Sequence, residues 1–232
     1  MASATTASTF ERSTPRLCAG ENRSMDPVLE DVLVELLADM PADADVPIVA
    51  SPPDRTWIWS DLHLSDPSVL LGWGRPFRSV EEMNRHLLRN WRRRVGDGDT
   101  IICLGDVAHP DAWRNDGLVL DVAEYPGERL LVLGNHDRDI GGLRRAGFHK
   151  TCRTALCATA PPLVLTHVPL LKIPAGAVNV HGHLHRVPGP TNRHVNLSVE
   201  HTDYAPVGLT YVLELARRRR DASIATLRLD LP

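Results

Sequence analysis

Acidic, amide and histidine side chains recur along this chain directly after short apolar stretches that have the character of β-strands. Because open α/β sheets bind ligands at the carboxyl ends of their strands, side chains that follow successive strands converge in space. Carboxylate, amide and imidazole groups in such a cluster are ligands for divalent metal ions. The side chains in these positions are Asp61, His63, Asp106, Asn135, His167, His183 and His185. We therefore expect them to form one metal site.

The spacing of two ligand pairs supports this expectation. One residue separates the polar side chains in Asp61-Leu62-His63 and in His183-Leu184-His185. In an extended segment, side chains two positions apart lie on the same side, so both members of each pair can reach one cluster. Glycine lets the backbone turn sharply beside the ligands. The glycines found there are Gly105, Gly134 and Gly182.

The number and type of donors indicate which ions would bind. Seven oxygen and nitrogen donors without a thiolate are too many for one four-coordinate zinc ion. They suit two five- or six-coordinate divalent ions that share a carboxylate. A histidine-rich set favours Mn²⁺, Fe or Zn²⁺ over Mg²⁺. The donor types do not choose among these three, and Mn²⁺ is the ion that we expect, with Fe or Zn²⁺ as the alternatives.

Helices and strands alternate around these residues in the pattern of a layered α/β fold. A packing helix is predicted over residues 26–40. The capping box of Ser79 and Glu82 begins a second amphipathic helix, whose arginine run at residues 92–94 is interpreted as a solvated helix end. The predicted strands are Thr56–Ser60, Thr100–Leu104, Arg129–Leu133, Leu163–Thr166, Ala177–Val180, Val195–Val199, Leu209–Leu215 and Ser223–Leu229. Residues 217–220 would form the turn between the last two.

The predicted organisation of the chain has three parts. Residues 1–25 are polar and of low complexity, so we interpret them as a disordered N-terminal tail. Residues 26–53 hold an N-terminal helix and an irregular linker rich in proline. Residues 54–232 form the domain that contains every predicted ligand.

Composition excludes several classes of protein. The net charge is −3 with a sequence pI of about 6.4, so no global positive field marks a nucleic-acid binder. No apolar run approaches the ~18 residues that a membrane-spanning helix needs. The four cysteines are too sparse for a secreted disulfide framework, and residues 1–20 lack the apolar core of a secretory signal. We expect a cytoplasmic protein without a membrane partner.

Taken in their order along the chain, these residues resemble the calcineurin-like metallophosphoesterase family. Its five motifs are D-x-H, G-D, G-N-H-[DE], a lone H and G-H-x-H. The motifs occur here as Asp61-Leu62-His63, Gly105-Asp106, Gly134-Asn135-His136-Asp137, His167 and Gly182-His183-Leu184-His185. The resemblance covers about residues 56–200. A further stretch looks like the compact, stand-alone bacterial and phage branch of the family. It consists of Arg75-Pro76-Phe77, Glu81-Glu82-Met83-Asn84 and Asn90-Trp91.

The resemblance implies a fold and a set of metal ligands. The fold would be a four-layer α/β/β/α sandwich of two mixed sheets flanked by helices, and residues 54–232 would be the metallophosphoesterase domain. One ion would be held by Asp61, His63, Asp106 and His185. The other would be held by Asp106, Asn135, His167 and His183, so that Asp106 bridges the two.

The resemblance also implies a mechanism for the hydrolysis of a phosphate ester. Water between two metal ions becomes hydroxide near neutral pH and attacks phosphorus in line. His136 would be the general acid or electrostatic partner at the leaving-group oxygen, and Asp137 would orient its imidazole. A phosphodiester is slightly favoured over a monoester as substrate.

Other residues are weaker candidates. Arg138, His109, His201 and Trp73 could contact substrate, although a salt bridge, ordinary loop histidines and an aromatic loop anchor explain them equally well or better. The remaining central and C-terminal histidines are interpreted as surface or structural residues, with His86 exposed on its helix. They are His86, His149, His181 and His194.

Three alternative functions stay open at this point. A nuclease acting on single-stranded nucleic acid would use the same metals, and nucleic acid is expected only in that role, as substrate. A non-catalytic metal-binding scaffold of the same fold would have lost ligands or His136, and all are present here. The first 50 residues could form a docking or regulatory arm, for which no protein partner is predicted.

Overall fold

A computed structural model describes residues 26–38, 40, 46–114 and 116–229 of the chain. The predicted disordered tail, residues 1–25, lies outside the described residues. Within them the helices are α1 (Pro27–Ala38), α2 (Ser68–Gly72), α3 (Val80–Arg94), α4 (Asp116–Ala123), α5 (Ile140–Arg145) and α6 (Leu209–Leu229). The strands are β1 (Ile48–Val49), β2 (Thr56–Trp59), β3 (Thr100–Cys103), β4 (Glu128–Val132), β5 (Lys150–Cys152), β6 (Thr154–Cys157), β7 (Leu163–Thr166), β8 (Val178–His181), β9 (His194–Asn196) and β10 (Val207–Gly208).

These strands form two mixed sheets. Sheet I has the order β10-β2-β3-β4-β5, and sheet II has the order β1-β6-β7-β8-β9. Each sheet contains one antiparallel pair, β10 with β2 in sheet I and β6 with β7 in sheet II, and its other pairs are parallel. The parallel strands β2, β3 and β4 therefore end at the same edge, where the polar residues that follow them can meet.

Alternation of side chains along the strands builds the layers. Ile58 and Ile102 of sheet I point to one face and contact the core that they share with Leu165 and Val180 of sheet II. Their neighbours Trp59 and Cys103 point to the opposite face, where α3 and α5 pack. On the outer face of sheet II, α1 packs against β6 and β7. The result is the predicted α/β/β/α sandwich of two mixed sheets with flanking helices.

Helix α3 begins where its cap predicts. The Oγ atom of Ser79 accepts a hydrogen bond from the backbone N–H of Glu82 at 3.2 Å. The buried face of the helix contacts sheet I through Met83, Leu87 and Trp91. The arginines at residues 92–94 are exposed at the C-terminal end, as expected for a solvated run beside the negative end of the helix dipole.

The C-terminal prediction is wrong. The predicted strands Leu209–Leu215 and Ser223–Leu229, and the predicted turn at residues 217–220, are one continuous helix, α6. The apolar residues in its first turns fit both a strand period and a helix period. The structure buries Leu209, Val212, Leu213 and Ala216, which are spaced at i, i+3, i+4 and i+7, and leaves Tyr211 exposed.

The N-terminal segment contains a strand within the linker that the sequence predicted to be irregular. Helix α1 lies within the predicted bounds, and Leu29, Val32 and Leu36 are buried on sheet II. After it, Ile48 and Val49 form β1, which pairs in parallel with β6 at the edge of sheet II. A two-residue strand has no periodicity that a sequence pattern could reveal. The domain boundary at residue 53 stays a prediction.

No helix in the part of the chain that the structure describes has the length and apolarity needed to cross a membrane.

Candidate metal centre

The seven predicted ligands lie in loops that follow five strands. Asp61 and His63 follow β2, Asp106 follows β3, and Asn135 follows β4 in sheet I. In sheet II, His167 follows β7, while His183 and His185 follow β8. Three groups of three residues have ligand atoms within 4.8 Å of one another; one is His63, Asp66 and His136, and the other two consist only of predicted ligands. These two are Asp61, His63 and His185, here called group A, and Asp106, His167 and His183, here called group B.

Asp106 lies between the two groups. Its Oδ2 atom is 3.3 Å from His167 Nε2 in group B and 3.6 Å from His63 Nε2 in group A. Asn135 joins group B, since its Oδ1 atom is 3.1 Å from His167 Nε2. The Nδ1 atom of His183 is 3.2 Å from the same nitrogen. Donor atoms from both sheets therefore converge around one carboxylate.

Three of these histidines have their Nδ1 atoms engaged away from the cluster. His63 Nδ1 is 3.1 Å from Asp66 Oδ2, and His167 Nδ1 is 2.7 Å from the Leu104 carbonyl oxygen. His185 Nδ1 is 3.0 Å from Glu200 Oε1. When Nδ1 donates a proton to an acceptor of this kind, the Nε2 lone pair is free to bind a metal ion.

One buried atom provides a direct test of whether a metal fits. His63 Nε2 is buried and has no hydrogen-bond partner among the described residues. Buried polar atoms are normally paired, so an unpaired imidazole nitrogen that faces two carboxylates and other histidines calls for a ligand. The donor atoms of both groups are oxygen and nitrogen, so the site is not of the thiolate type. The residues present fit divalent metal ions.

The backbone at the site is strained. Five of the seven predicted ligands have positive φ angles in the left-handed region, which residues other than glycine rarely adopt. They are Asp61 (58°), His63 (50°), Asp106 (54°), His183 (67°) and His185 (47°). Such conformations persist only where the surrounding structure enforces them, and they concentrate at functional sites.

Glycines permit the close approach of the ligand loops. A Cβ atom at Gly182 would clash with Ser60 Oγ and with the Asp61 carboxylate, and a Cβ atom at Gly134 would clash with the Asp106 carboxylate. The sequence predicted that these glycines turn the backbone. Gly105, with φ of 95°, does so, whereas Gly134 and Gly182 leave room for a carboxylate instead.

The electrostatics of the cluster favour positive charge. Burial disfavours ionisation of Asp106, but the hydrogen bond and positive charge of His167 outweigh it and lower the carboxyl pKa to about 2. Burial likewise disfavours the charged imidazole of His167. The hydrogen bond that His167 donates to Asp106, with the charges of Asp61 and Asp106, outweighs that and raises the His167 pKa to about 9. A pocket that stabilises a cationic imidazole also suits a metal cation.

The two predicted catalytic residues have different surroundings: His136 lies beside group A, and Asp137 contacts backbone N–H groups. The half-buried His136 ring packs edge-to-face on the His63 ring at a centroid distance of 4.9 Å, beside group A. Asp137 does not orient that imidazole as expected. Its carboxylate instead accepts the backbone N–H groups of Asp106, Val107 and Gly134 at 2.8, 3.1 and 2.9 Å, and so ties the loops after β3 and β4 together.

Of the four candidate substrate contacts, Trp73 and Arg138 lie beside predicted ligands. Trp73 stacks on the His185 ring at a centroid distance of 4.3 Å and is 38% exposed. Arg138 is exposed, and its Nε atom donates to the Asn135 carbonyl at 3.1 Å. Among the described contacts, His109 and His201 have none with a predicted ligand; His109 Nδ1 accepts the backbone N–H of Asp111.

The other histidines lie outside both groups. His181 is buried in β8, and burial lowers its pKa to about 4, so it is a neutral structural residue. His194 is buried and bonded to Thr191 and to the Leu170 carbonyl. His149 is exposed, whereas His86, predicted to be exposed, is half-buried beside Phe77 and Tyr204.

Sequence reasoning missed the residues that support the predicted ligands. Asp66 lies behind His63, Glu200 lies behind His185, and Ser198 Oγ donates to Asp61 Oδ2 at 2.9 Å. Asp66 follows His63 by three residues, which was an available local signal. Glu200 and Ser198 are distant in sequence from their partners, so only the fold brings them together.

Comparison with known proteins covers the part of the chain that contains these residues. The model of the family described as calcineurin-like phosphoesterase matches residues 55–204. An uncharacterised protein of Methanocaldococcus jannaschii is 26% identical over 174 residues, which is 71% of this chain and 92% of the archaeal protein. The gene 66 protein of Mycobacterium phage L5 is 33% identical over 87 residues, 36% of this chain and 40% of the phage protein. The predicted resemblance to compact, stand-alone members of the family is confirmed, and the relatives found include an archaeal and a phage protein.

A solved structure shares the fold. The protein of unknown function from Aquifex aeolicus superposes with a TM-score of 0.57 and 21% sequence identity, over 69% of this chain and 98% of that one. At this level of identity the likeness concerns the arrangement of strands and helices alone.

Proposed function

Because the chain belongs to the calcineurin-like phosphoesterase family, we propose that it hydrolyses a phosphate ester at the cluster formed by groups A and B. The observation that carries the proposal is the convergence of both groups on Asp106, with Asp106 Oδ2 within 3.6 Å of imidazole nitrogens from each. A carboxylate in that position can serve two ions at once.

The proposed assignment of ligands follows the two groups. Asp61, His63 and His185 hold one divalent ion, and Asp106 is shared with the second. The second ion is held in addition by Asn135, His167 and His183. A pair of ions so held supplies Lewis acidity toward a phosphoryl group and lowers the pKa of water. Mn²⁺ is the proposed ion, with Fe or Zn²⁺ as alternatives.

The chain's own residues prepare the reaction. His136 is proposed to donate a proton to the leaving-group oxygen, since its half-buried ring borders group A. Its backbone N–H donates to Asp106 Oδ1 at 2.8 Å, which holds the main chain of His136 close to the centre of the cluster. Asp137 acts on the same segment by holding the loop backbone. Trp73 and Arg138 border the site and are proposed as substrate contacts.

A phosphodiester is the proposed substrate class. Among the described residues, Arg75 and Arg138 have guanidinium groups that contact the backbone of a predicted ligand. The Arg75 group is buried against Glu200, and Arg138 is exposed. A monoanionic diester requires less positive charge around it than a dianionic monoester. The activity is proposed to be cytoplasmic, where the buried thiols Cys103 and Cys157 would remain reduced.

The decisive experiment compares para-nitrophenyl phosphate with bis-para-nitrophenyl phosphate as substrates. Metal-stripped protein would receive Mn²⁺, Zn²⁺, Fe²⁺ or Mg²⁺, with Asp106→Ala as the matched control. We expect metal-dependent turnover, faster on the diester. A preference for the monoester would contradict the substrate class, and two bound ions without turnover on either ester would favour the scaffold alternative.

The nuclease alternative makes a separate prediction about salt. Cleavage of a single-stranded oligonucleotide should then weaken steeply as ionic strength rises, because a bound nucleic acid releases counterions. A small diester releases few counterions on binding, so its hydrolysis should change little over the same range of ionic strength.

A further inference from the structure

Arg75 lies between the loop after β2, which carries Asp61 and His63 of group A, and Glu200, which contacts His185 of group A. Its side chain is fully buried, with 0% exposure. Nη2 donates to the Asp61 carbonyl at 2.6 Å, and Nη1 donates to the Leu62 carbonyl at 2.8 Å. On its other side, Nε and Nη2 each lie 2.9 Å from Glu200 Oε1. One guanidinium therefore joins the loop after β2 to the segment after β9.

The two carbonyl bonds act on a strained turn. Asp61 and His63, on either side of Leu62, both have positive φ angles. A turn of this kind directs the Asp61 and Leu62 carbonyls inward, where they need donors because buried backbone oxygens are costly when unpaired. Arg75 supplies both donors, and so it holds the turn that presents the Asp61 and His63 side chains.

The Glu200 contact reaches the third member of group A. Glu200 is 2% exposed, and its Oε1 atom is also 3.0 Å from His185 Nδ1. This contact sets which His185 nitrogen carries the proton and orients its ring, as carboxylates behind metal-binding histidines do. Arg75 in turn fixes the position of the Glu200 carboxylate, with two donors on one oxygen.

We propose that Arg75 is a positioning residue that organises group A selectively, through the Asp61–Leu62 carbonyls and through Glu200. Its hydrogen-bond partners include none of the residues of group B. The inference rests on the proposed function only in treating the cluster as a metal centre. Loss of Arg75 should therefore weaken one of two ion sites rather than both.

The chain offers a control for the general effect of removing a guanidinium that donates to backbone carbonyls. Arg129 in β4 also donates to backbone carbonyls, those of Ala146 at 3.0 Å and Ala123 at 3.2 Å, and it lies over the Trp91 ring. None of these partners is a predicted ligand. Arg129→Met reports the cost to the fold alone.

The test is titration of the metal-stripped full chain with Mn²⁺ by calorimetry, together with the paramagnetic resonance spectrum of the bound ions. Wild type should bind two ions and give the signal of a coupled pair. Arg75→Met should lose about 10- to 100-fold in affinity at one site, the usual effect of removing an outer partner, and at limiting Mn²⁺ should give the signal of a single ion. Arg75→Lys, which keeps the charge, should recover part of the loss. Arg129→Met should keep both ions.

Several outcomes would overturn the inference. Two ions bound by Arg75→Met with unchanged affinity would do so, and so would equal weakening of both sites. If Arg75→Met does not fold, Glu200→Gln decides, because it keeps the shape of the side chain and should weaken the same site; unchanged affinity there also refutes the inference. If wild type binds two ions and hydrolyses no ester, the proposed function fails while the role of Arg75 stands.

Discussion

At the scale of single residues, the predicted ligands combine donor atoms that suit a metal ion with an unfavourable backbone conformation. A left-handed conformation costs an L-residue about 1–2 kcal/mol, and five predicted ligands adopt it. The hydrogen bonds from His63 N–H to the Asp106 carbonyl and from Asp61 N–H to the Gly105 carbonyl, both 3.0 Å, help to hold these conformations. Backbone hydrogen bonds therefore contribute to the arrangement of the cluster.

The sequence could predict that these seven residues lie together because motif order and strand ends are local features. It missed Glu200, since the contact between Glu200 and His185 depends on how the segment after β9 returns to the site. It also assigned Asp137 to the wrong partner, since adjacency to His136 in sequence does not say that both carboxylate oxygens face backbone N–H groups.

The role proposed for His136 predicts a separation between metal binding and turnover. His136→Ala should keep both ions and lose about 10²- to 10⁴-fold in turnover, the usual contribution of a general acid. The loss should be smaller for a para-nitrophenyl ester, whose leaving group needs little protonation, than for an alkyl ester. Steady-state kinetics on both esters, with elemental analysis, measure this.

Asp106→Ala is the comparison for that experiment, because it should lose metal and activity together. If His136→Ala empties the site, or loses equal turnover on both esters, His136 is not a general acid.

Gly182 predicts a second effect at this scale. In Gly182→Ala the new methyl group would meet Ser60 Oγ and the Asp61 carboxylate, so the carboxylate must shift from its position in group A. We expect Mn²⁺ affinity at the group A site to fall at least 10-fold, as measured by calorimetry. Gly72→Ala, where a Cβ atom meets open space, is the matched control and should bind Mn²⁺ normally. Unchanged affinity in Gly182→Ala would contradict the packing described here.

At the scale of elements, predictability follows the length and period of each segment. Helix α3 was predictable because its cap and its apolar stripe agree. Helix α6 was not, because its first residues satisfy two periods and only burial against the two sheets decides between them. The two-residue strands β1 and β10 carry no period at all, and they exist because a neighbouring strand offers hydrogen bonds.

Helix α1 carries a prediction about the N-terminal segment. Deletion of residues 1–45 removes α1 and exposes Leu156 and Val164 on sheet II. Each buried apolar side chain lost contributes about 1.5–3 kcal/mol, so urea unfolding should show a large loss of stability. Deletion of residues 1–25 keeps α1 and should leave both stability and turnover unchanged. Equal stability of the two truncated proteins would show that α1 contributes nothing to the fold.

At the scale of the whole molecule, the proposed metal centre lies where the two sheets meet. Asp61, His63 and Asp106 follow strands of sheet I, and His167 and His183 follow strands of sheet II. Any ion that binds members of both sets holds one sheet against the other. Ion binding and the stability of the sandwich are therefore thermodynamically linked.

This linkage predicts a stabilisation by Mn²⁺. At a free ion concentration 100 times the dissociation constant, one such site adds about 2.7 kcal/mol to the free energy of unfolding. Urea unfolding of the stripped protein, with and without Mn²⁺, measures the gain. Asp106→Ala should show little of it. An equal gain in Asp106→Ala would mean that Mn²⁺ stabilises the protein elsewhere.

Each sheet takes one edge strand from a distant part of the chain, and this has a consequence for synthesis on the ribosome. Ile48 and Val49 are made early, yet their partner strand arrives with Leu156 and Cys157, and β2 receives its antiparallel neighbour only with Val207 and Gly208. Domains generally fold as units as the chain emerges. The nascent protein must therefore carry Asp61, His63 and Asp106 without the histidines of sheet II until residue 185 has been translated, so capture of the proposed ions would be a late event of its biogenesis.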